Sequence, residues 1–85
     1  MFDINLSNQA AKFYVSANNK LASKLNSAFE VLRENPFYGN NIKKLRGGLE
    51  GLHRYRIGDI RIVYSVEETI KIVSVSWIGK RKDAY

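Results

Sequence analysis

The chain has 85 residues, with 14 lysines and arginines against eight acids, one histidine, no cysteine and a net charge of +6. That length supports one small core, no disulfide or thiolate-held zinc can brace it, and no apolar run reaches the ~20 residues of a membrane helix. A single soluble cytoplasmic domain spanning 1–85, with no membrane association, metal or cofactor, is the expectation.

The charge is uneven. Residues 1–35 hold four basic and three acidic groups, whereas 36–85 hold ten basic and five acidic ones. The C-terminal part therefore carries the field, and a polyanion such as nucleic acid is its natural partner; an acidic protein segment would be drawn to the same surface.

Phe2, Ile4 and Leu6 alternate with Asp3 and Asn5 and predict a short strand. Ser7 or Asn8 is a helix cap. Ala10, Ala11, Phe13, Tyr14 and Ala17 then recur at helical spacing until Asn18-Asn19. A second helix follows, with Leu21, Leu25, Ala28, Phe29 and Leu32 on one stripe, and Asn35-Pro36 stops it because a residue before proline is driven out of the helical region. The two helices form a hairpin whose stripe packs on a sheet. Beyond a loop at 36–41, residues 42–46 read as a short strand with Gly47-Gly48 as its exit.

Leu52-His53-Arg54-Tyr55-Arg56-Ile57-Gly58-Asp59-Ile60-Arg61-Ile62-Val63-Tyr64 is two β-rich runs around a Gly-Asp pair, the composition of a hairpin with a two-residue turn. In that register Ile57 faces Ile60, Tyr55 faces Ile62 and Arg56 faces Arg61. One surface carries Tyr55, Ile57, Ile60, Ile62 and Tyr64 and belongs to the core; the other carries Arg54, Arg56, Arg61, Val63 and Ser65. Two arginines with Cβ atoms roughly 5 Å apart repel unless an anion lies between them. The plain alternative is a solvated face whose long stems cover apolar neighbours. Glu67-Glu68 makes the next turn, and residues 70–78 form the last strand. Two registers are open there; the one that puts Val73, Val75 and Trp77 on the core, with Ser74 beside Arg61, buries the larger set. The layout is α+β: an N-terminal strand and a two-helix hairpin packed on one face of a mainly antiparallel sheet.

The order of elements, Lys43-Lys44-Leu45-Arg46-Gly47, the hairpin above and the ending Ile78-Gly79-Lys80-Arg81-Lys82-Asp83-Ala84-Tyr85 together resemble the RelE/ParE toxin superfamily, over essentially the whole chain and closer to its RelE branch. The resemblance implies a RelE-like fold and a toxin that cuts messenger RNA in the ribosomal A site and is held inactive by a cognate antitoxin. It also implies that basic residues on the inner strands, with an arginine and a tyrosine near the C-terminus, do this work. By position these are Arg54, Arg56, Arg61, Arg81 and Tyr85. Many relatives have His-Arg-Arg where this chain has Lys80-Arg81-Lys82, and tyrosine where it has Ile60. The ParE branch implies another activity, poisoning of DNA gyrase through protein contact.

The residues can be weighed against the chemistry. Attack by a 2′-OH needs a proton acceptor, charge stabilisation on a phosphorane-like transition state and protonation of the leaving oxygen. A histidine pair is excluded, since His53 is alone and by alternation faces the core. Lysine at position 80 can hold a phosphate but is a poor proton shuttle at pH 7. What remains is Arg56 and Arg61 as forked phosphate clamps, Arg81 as a third charge, Tyr85 as a stacking or proton-donating group, and Lys43, Lys44, Arg46, Arg54, Lys80 and Lys82 as substrate-binding cations. Such a set supplies electrostatics and weak acid–base function, so alignment by the ribosome and message is expected to matter.

Overall fold

A computed structural model describes residues 1–49 and 51–80. The first strand, β1 (Asp3–Leu6), sends Ile4 and Leu6 towards the core, with Phe2 buried just before it. Ser7 caps α1 (Asn8–Ser16), its hydroxyl accepting the Ala10 N–H at 3.1 Å. Asn18 repeats the device for α2 (Asn19–Glu34), accepting the Leu21 N–H at 2.8 Å. The second helix ends where the proline demands it, with Asn35 extended. Its inward stripe of Leu25, Ala28 and Leu32 is almost fully buried.

The remaining elements are β2 (Ile42–Lys44), β3 (His53–Ile57), β4 (Ile60–Glu67) and β5 (Ile72–Lys80). Together with β1 they make one sheet in the order β1-β5-β4-β3-β2, in which β1 runs parallel to β5 and every other pair is antiparallel. Both helices lie on the same face. Ala10, Leu25, Ala28 and Leu32 pack there against Tyr55, Ile62, Tyr64, Val73, Val75 and Ile78, each large aliphatic side chain contributing about 1.5–3 kcal/mol by leaving water. The Tyr64 hydroxyl, buried in this layer, donates to the Pro36 carbonyl at 2.8 Å and ties the sheet to the chain leaving α2. Burial, and secondarily the nearby Tyr55, push its phenol well above the ordinary tyrosine range.

The β3–β4 hairpin has the expected register: Ile57 pairs with Ile60, Arg56 with Arg61 and Tyr55 with Ile62. Gly58 has φ +57° and Asp59 does not share the positive φ. That is the sign pattern of a II′ turn, whose first central position takes glycine.

The last strand differs from expectation in two ways. It runs from Ile72 to Lys80 rather than over residues 70–78, β1 pairing with it from Ile72 and Ile60 with Lys80; Ile70 sits 63% exposed in a turn that Lys71 closes with φ 56°. Neither does Trp77 face the core. The β4–β5 pairing is irregular at Val63/Tyr64, so Tyr64 faces Val75 while Val63 faces Trp77. One extra residue in a bulge reverses the alternation: Val73, Val75 and Ile78 are buried under the helices, and Trp77 lies on the opposite face. Ser74 consequently pairs with Ser65, and the partner of Arg61 is Gly79.

Candidate nucleic-acid interface

The sheet face away from the helices carries Arg54 and Arg56 from β3, Arg61 from β4 and Lys43 from β2. Pairing fixes this: Lys43 opposes Arg54, and Arg56 opposes Arg61. A cleft of about 540 Å³ opens over them, lined by Lys43, Lys44, Leu45, Arg46, Arg54, Arg56 and Arg61. Among the described residues its charged lining is cationic, and its size suits a nucleotide-scale ligand.

The backbone holds these cations in place. The Asn41 carbonyl accepts both the Arg56 backbone N–H and an Arg54 guanidinium N–H, each at 3.0 Å, so the chain entering β2 anchors the Arg56 backbone and the Arg54 side chain. Arg56 is exposed and Arg61 half-buried. The Arg61 Nε is buried and has no hydrogen-bond partner among the described residues. Arg56 and Arg61 form no ion pair within the described residues; Arg33–Glu30, on α2, does so at 3.9 Å. Two guanidinium forks side by side, with donors unspent, form a receptor for an anion with several oxygens.

The other sequence-predicted residues are less uniform. Lys44 pairs with His53 and starts from the helix side of the edge strand, yet it borders the cleft. Lys80 pairs with Ile60, a core residue, and does not line the cleft. Arg81, Lys82 and Tyr85 lie outside the described residues. Arg56 also borders a second groove of about 640 Å³, against Lys20 and Lys24 of α2.

His53 belongs to the core side, 7% exposed. Its ring stacks on Tyr64 with centroids 5.4 Å apart and meets Phe37 edge-on at 6.2 Å. Neither ring nitrogen has a hydrogen-bond partner among the described residues. Burial, and secondarily the charge of Lys44, lower its pKa below the ordinary histidine value. It is a packed, neutral ring on the wrong side of the sheet to serve the cationic cleft.

The sequence model of the family described as "ParE toxin of type II toxin-antitoxin system, parDE" matches residues 5–85. The chain belongs to this toxin family. Within the wider RelE/ParE superfamily it is 42% identical over 43 residues to Toxin RelE of Mycobacterium tuberculosis, a match covering 51% of this chain and 44% of that protein. The chain thus spans less than half the length of that curated relative. Among solved structures, its fold is similar to the archaeal RelE–RelB complex of Pyrococcus horikoshii OT3, with TM-score 0.81, 24% identity and 98% of each chain covered. It is also similar to the intact RelBE toxin–antitoxin complex of E. coli, with TM-score 0.80, 22% identity, and 94% and 96% of the two chains covered. At those identities the likeness concerns the fold. Among the described residues, no helix of this toxin is long and apolar enough to cross a membrane.

Three residues of the toxin's open face were not legible as site elements. Asn41 acts through its carbonyl, which no side-chain pattern announces. Trp77 has an apolar side chain in an apolar run, and only the bulge moves it across the sheet. Gly79 matters for what it lacks, since the Trp77 ring occupies the space a side chain would need there.

Proposed function

We propose that this toxin is an endoribonuclease that cleaves messenger RNA on the ribosome and so inhibits translation, with a cognate antitoxin protein as its partner in the cell. The observation that carries the reading is the cleft in which Arg56 and Arg61 face each other amid further cations, neither of the two in an ion pair among the described residues. An arrangement that costs stability when empty is relieved by a bound phosphate.

In this mechanism Arg56 and Arg61 grip the non-bridging oxygens of the scissile phosphate. They gain most as negative charge builds in the phosphorane-like transition state formed by 2′-OH attack, which is where such groups accelerate a reaction. Arg81 adds charge near the departing 5′-oxygen, and Tyr85 stacks on a base or donates a proton. Lys43, Lys44, Arg46, Arg54 and Lys82 bind the flanking backbone, whereas Lys80, which starts from the helix side, is left out of the set. His53 is turned away from the cleft, whose described lining offers charge stabilisation rather than a proton acceptor, so proton transfer is weakly catalysed. Alignment of the message by the ribosome then supplies much of the rate, an effect that can reach several kcal/mol. The antitoxin reading rests on the complexes formed by the RelE relatives.

The gyrase-directed reading is favoured by one finding, the ParE name of the matching family. Adding the toxin to a cell-free translation reaction and mapping message ends by primer extension separates the two. Codon-phased breaks that need translating ribosomes support cleavage, whereas an intact message together with trapped gyrase–DNA complexes supports the alternative. Equal degradation of free RNA would contradict the role given to the ribosome.

A further inference from the structure

The outer strand of the sheet is too short to cover its neighbour. The first residue of β2, Ile42, stands opposite Tyr55, whereas β3 runs on to Ile57. The Asn41 carbonyl still takes the Arg56 backbone N–H, and beyond it no strand among the described residues flanks that edge of β3. Between the uncovered edge and α2 lies the groove of about 640 Å³ that Arg56 borders, lined on the helix side by Lys20, Ser23, Lys24 and Ser27.

Those four positions follow the i, i+3, i+4, i+7 spacing of one helix face. Both lysines are exposed, and neither is in an ion pair among the described residues. Like charges four residues apart on a helix repel. Lys20 also stands in the first turn of α2, where the helix dipole favours an acid and α2 has none. No acid lines the groove among the described residues. The groove therefore repeats the crowding of like charge seen at Arg56 and Arg61, and an anion relieves both. Four residues of helix rise by about 6 Å, so the two lysines are set to meet an extended polyanion along its length rather than one compact anion.

The course of that polyanion follows from Arg56, which borders both the groove and the cationic cleft on the open face. A message is an unbroken chain of phosphates, so the nucleotides flanking the one gripped in the cleft must leave it. The way out past Arg56 leads to Lys20 and Lys24, and the serine hydroxyls between them can donate to phosphate or meet a 2′-OH. An acidic protein segment would find the same cations, but nothing would require it to pass from one hollow to the other.

We propose that the groove between α2 and the edge of β3 is a second RNA-binding subsite, where Lys20 and Lys24 hold the backbone of a strand that leaves the cleft over Arg56. The proposal rests on the RNA reading given above and assigns a path to the strand.

The chain has no cysteine, so a single introduced thiol reports on the groove. The test uses full-length Ser27→Cys and, on the exposed end of α1, Ser16→Cys, alkylated with neutral iodoacetamide. The ligand is a 2′-O-methyl oligoribonucleotide, which 2′-OH attack cannot cut, of about ten residues; at about 3.4 Å per phosphate it matches the 33 Å length of the molecule. At saturation, with one strand bound per chain, the oligonucleotide is expected to block alkylation of Ser27→Cys and leave Ser16→Cys at its free rate. Oligoglutamate is expected to leave Ser27→Cys open. Replacing Lys20 and Lys24 together by methionine is expected to lower the slope of log K against log salt by about 1.4, two phosphate contacts, and to weaken binding about 25-fold at 0.1 M salt. Lys12→Met, outside the groove, is expected to leave both near the wild-type values.

An open Ser27→Cys under saturating oligonucleotide, equal protection by oligoglutamate, two strands per chain, or an unchanged salt slope in the double lysine variant would each overturn the subsite. The assay contains no cleavage step. A toxin that cuts ribosome-bound message while Ser27→Cys stays open would lose the groove and keep the nuclease reading; one that shows the protection yet leaves message intact would do the reverse.

Discussion

Replacing Arg56 by glutamine should make the toxin fold more stable and its RNA binding weaker, and the two effects share one cause. Arg56 and Arg61 are direct cross-strand partners, so their Cβ atoms lie roughly 5 Å apart and their guanidinium groups can splay to about 8 Å. At that separation two unit charges repel by about 0.5 kcal/mol in a water-like dielectric and about 2 kcal/mol at an effective dielectric of 20. Arg56 is exposed, which places the pair near the lower figure, so removing one charge should stabilise by about 0.5–1 kcal/mol at low salt. The exposed stem covers little apolar surface, and glutamine keeps part of it. For a domain of this size the gain is a Tm rise of roughly 2–8 °C. It should shrink towards zero in 1 M salt, where the screening length is about 3 Å. The same variant should lose affinity for single-stranded RNA, with the slope of log K against log salt reduced by about 0.7 for one lost phosphate contact. Thermal melts at 20 mM and 1 M salt, paired with RNA titrations at several salt concentrations, read both. A Tm that falls at low salt, or a gain that persists undiminished at high salt, would refute the opposed-charge reasoning.

Three further outcomes follow from the packing. His53 is harder to protonate in the folded chain than in the unfolded one, so the unfolded state binds the extra proton and stability should drop as pH falls through about 6.5. The slope is at most about 1.4 kcal/mol per pH unit, and denaturant melts between pH 7.5 and 5.5 should show it flattened in His53→Phe. Tyr64→Phe strands the Pro36 carbonyl, now bonded at 2.8 Å, and should cost about 1–3 kcal/mol in urea unfolding; a neutral result would mean that the carbonyl finds another donor. Asn18→Ala removes the cap on the Leu21 N–H and should cost about 1 kcal/mol, measured the same way.

Most of the architecture was open to reading because its determinants are local. Ser7 and Asn18 announce helix starts, Pro36 a helix end, and Gly58-Asp59 a turn that fixes the whole hairpin register and hence the opposition of Arg56 and Arg61. His53 also fell on the core side as alternation required. Alternation failed at Trp77, because the bulge that reverses it is flanked by hydrogen bonds from Ser7 to Ser76 and from Gln9 to Ile78, some seventy positions away in the chain, which no periodicity carries. The same long reach explains why Lys80 starts from the helix side and why Gly79, rather than Ser74, stands beside Arg61. The cationic face could be foreseen from strand parity alone; the place of Trp77 could not.

The central claim is that the cleft around Arg61 acts on the RNA phosphate, and a single-turnover cleavage assay on programmed ribosomes tests it most directly. Arg61→Met should cut message about 10²-fold more slowly than the wild type, while Lys12→Met, which removes an exposed cation of α1, should cut at the wild-type rate. Equal rates for the two variants would contradict the account.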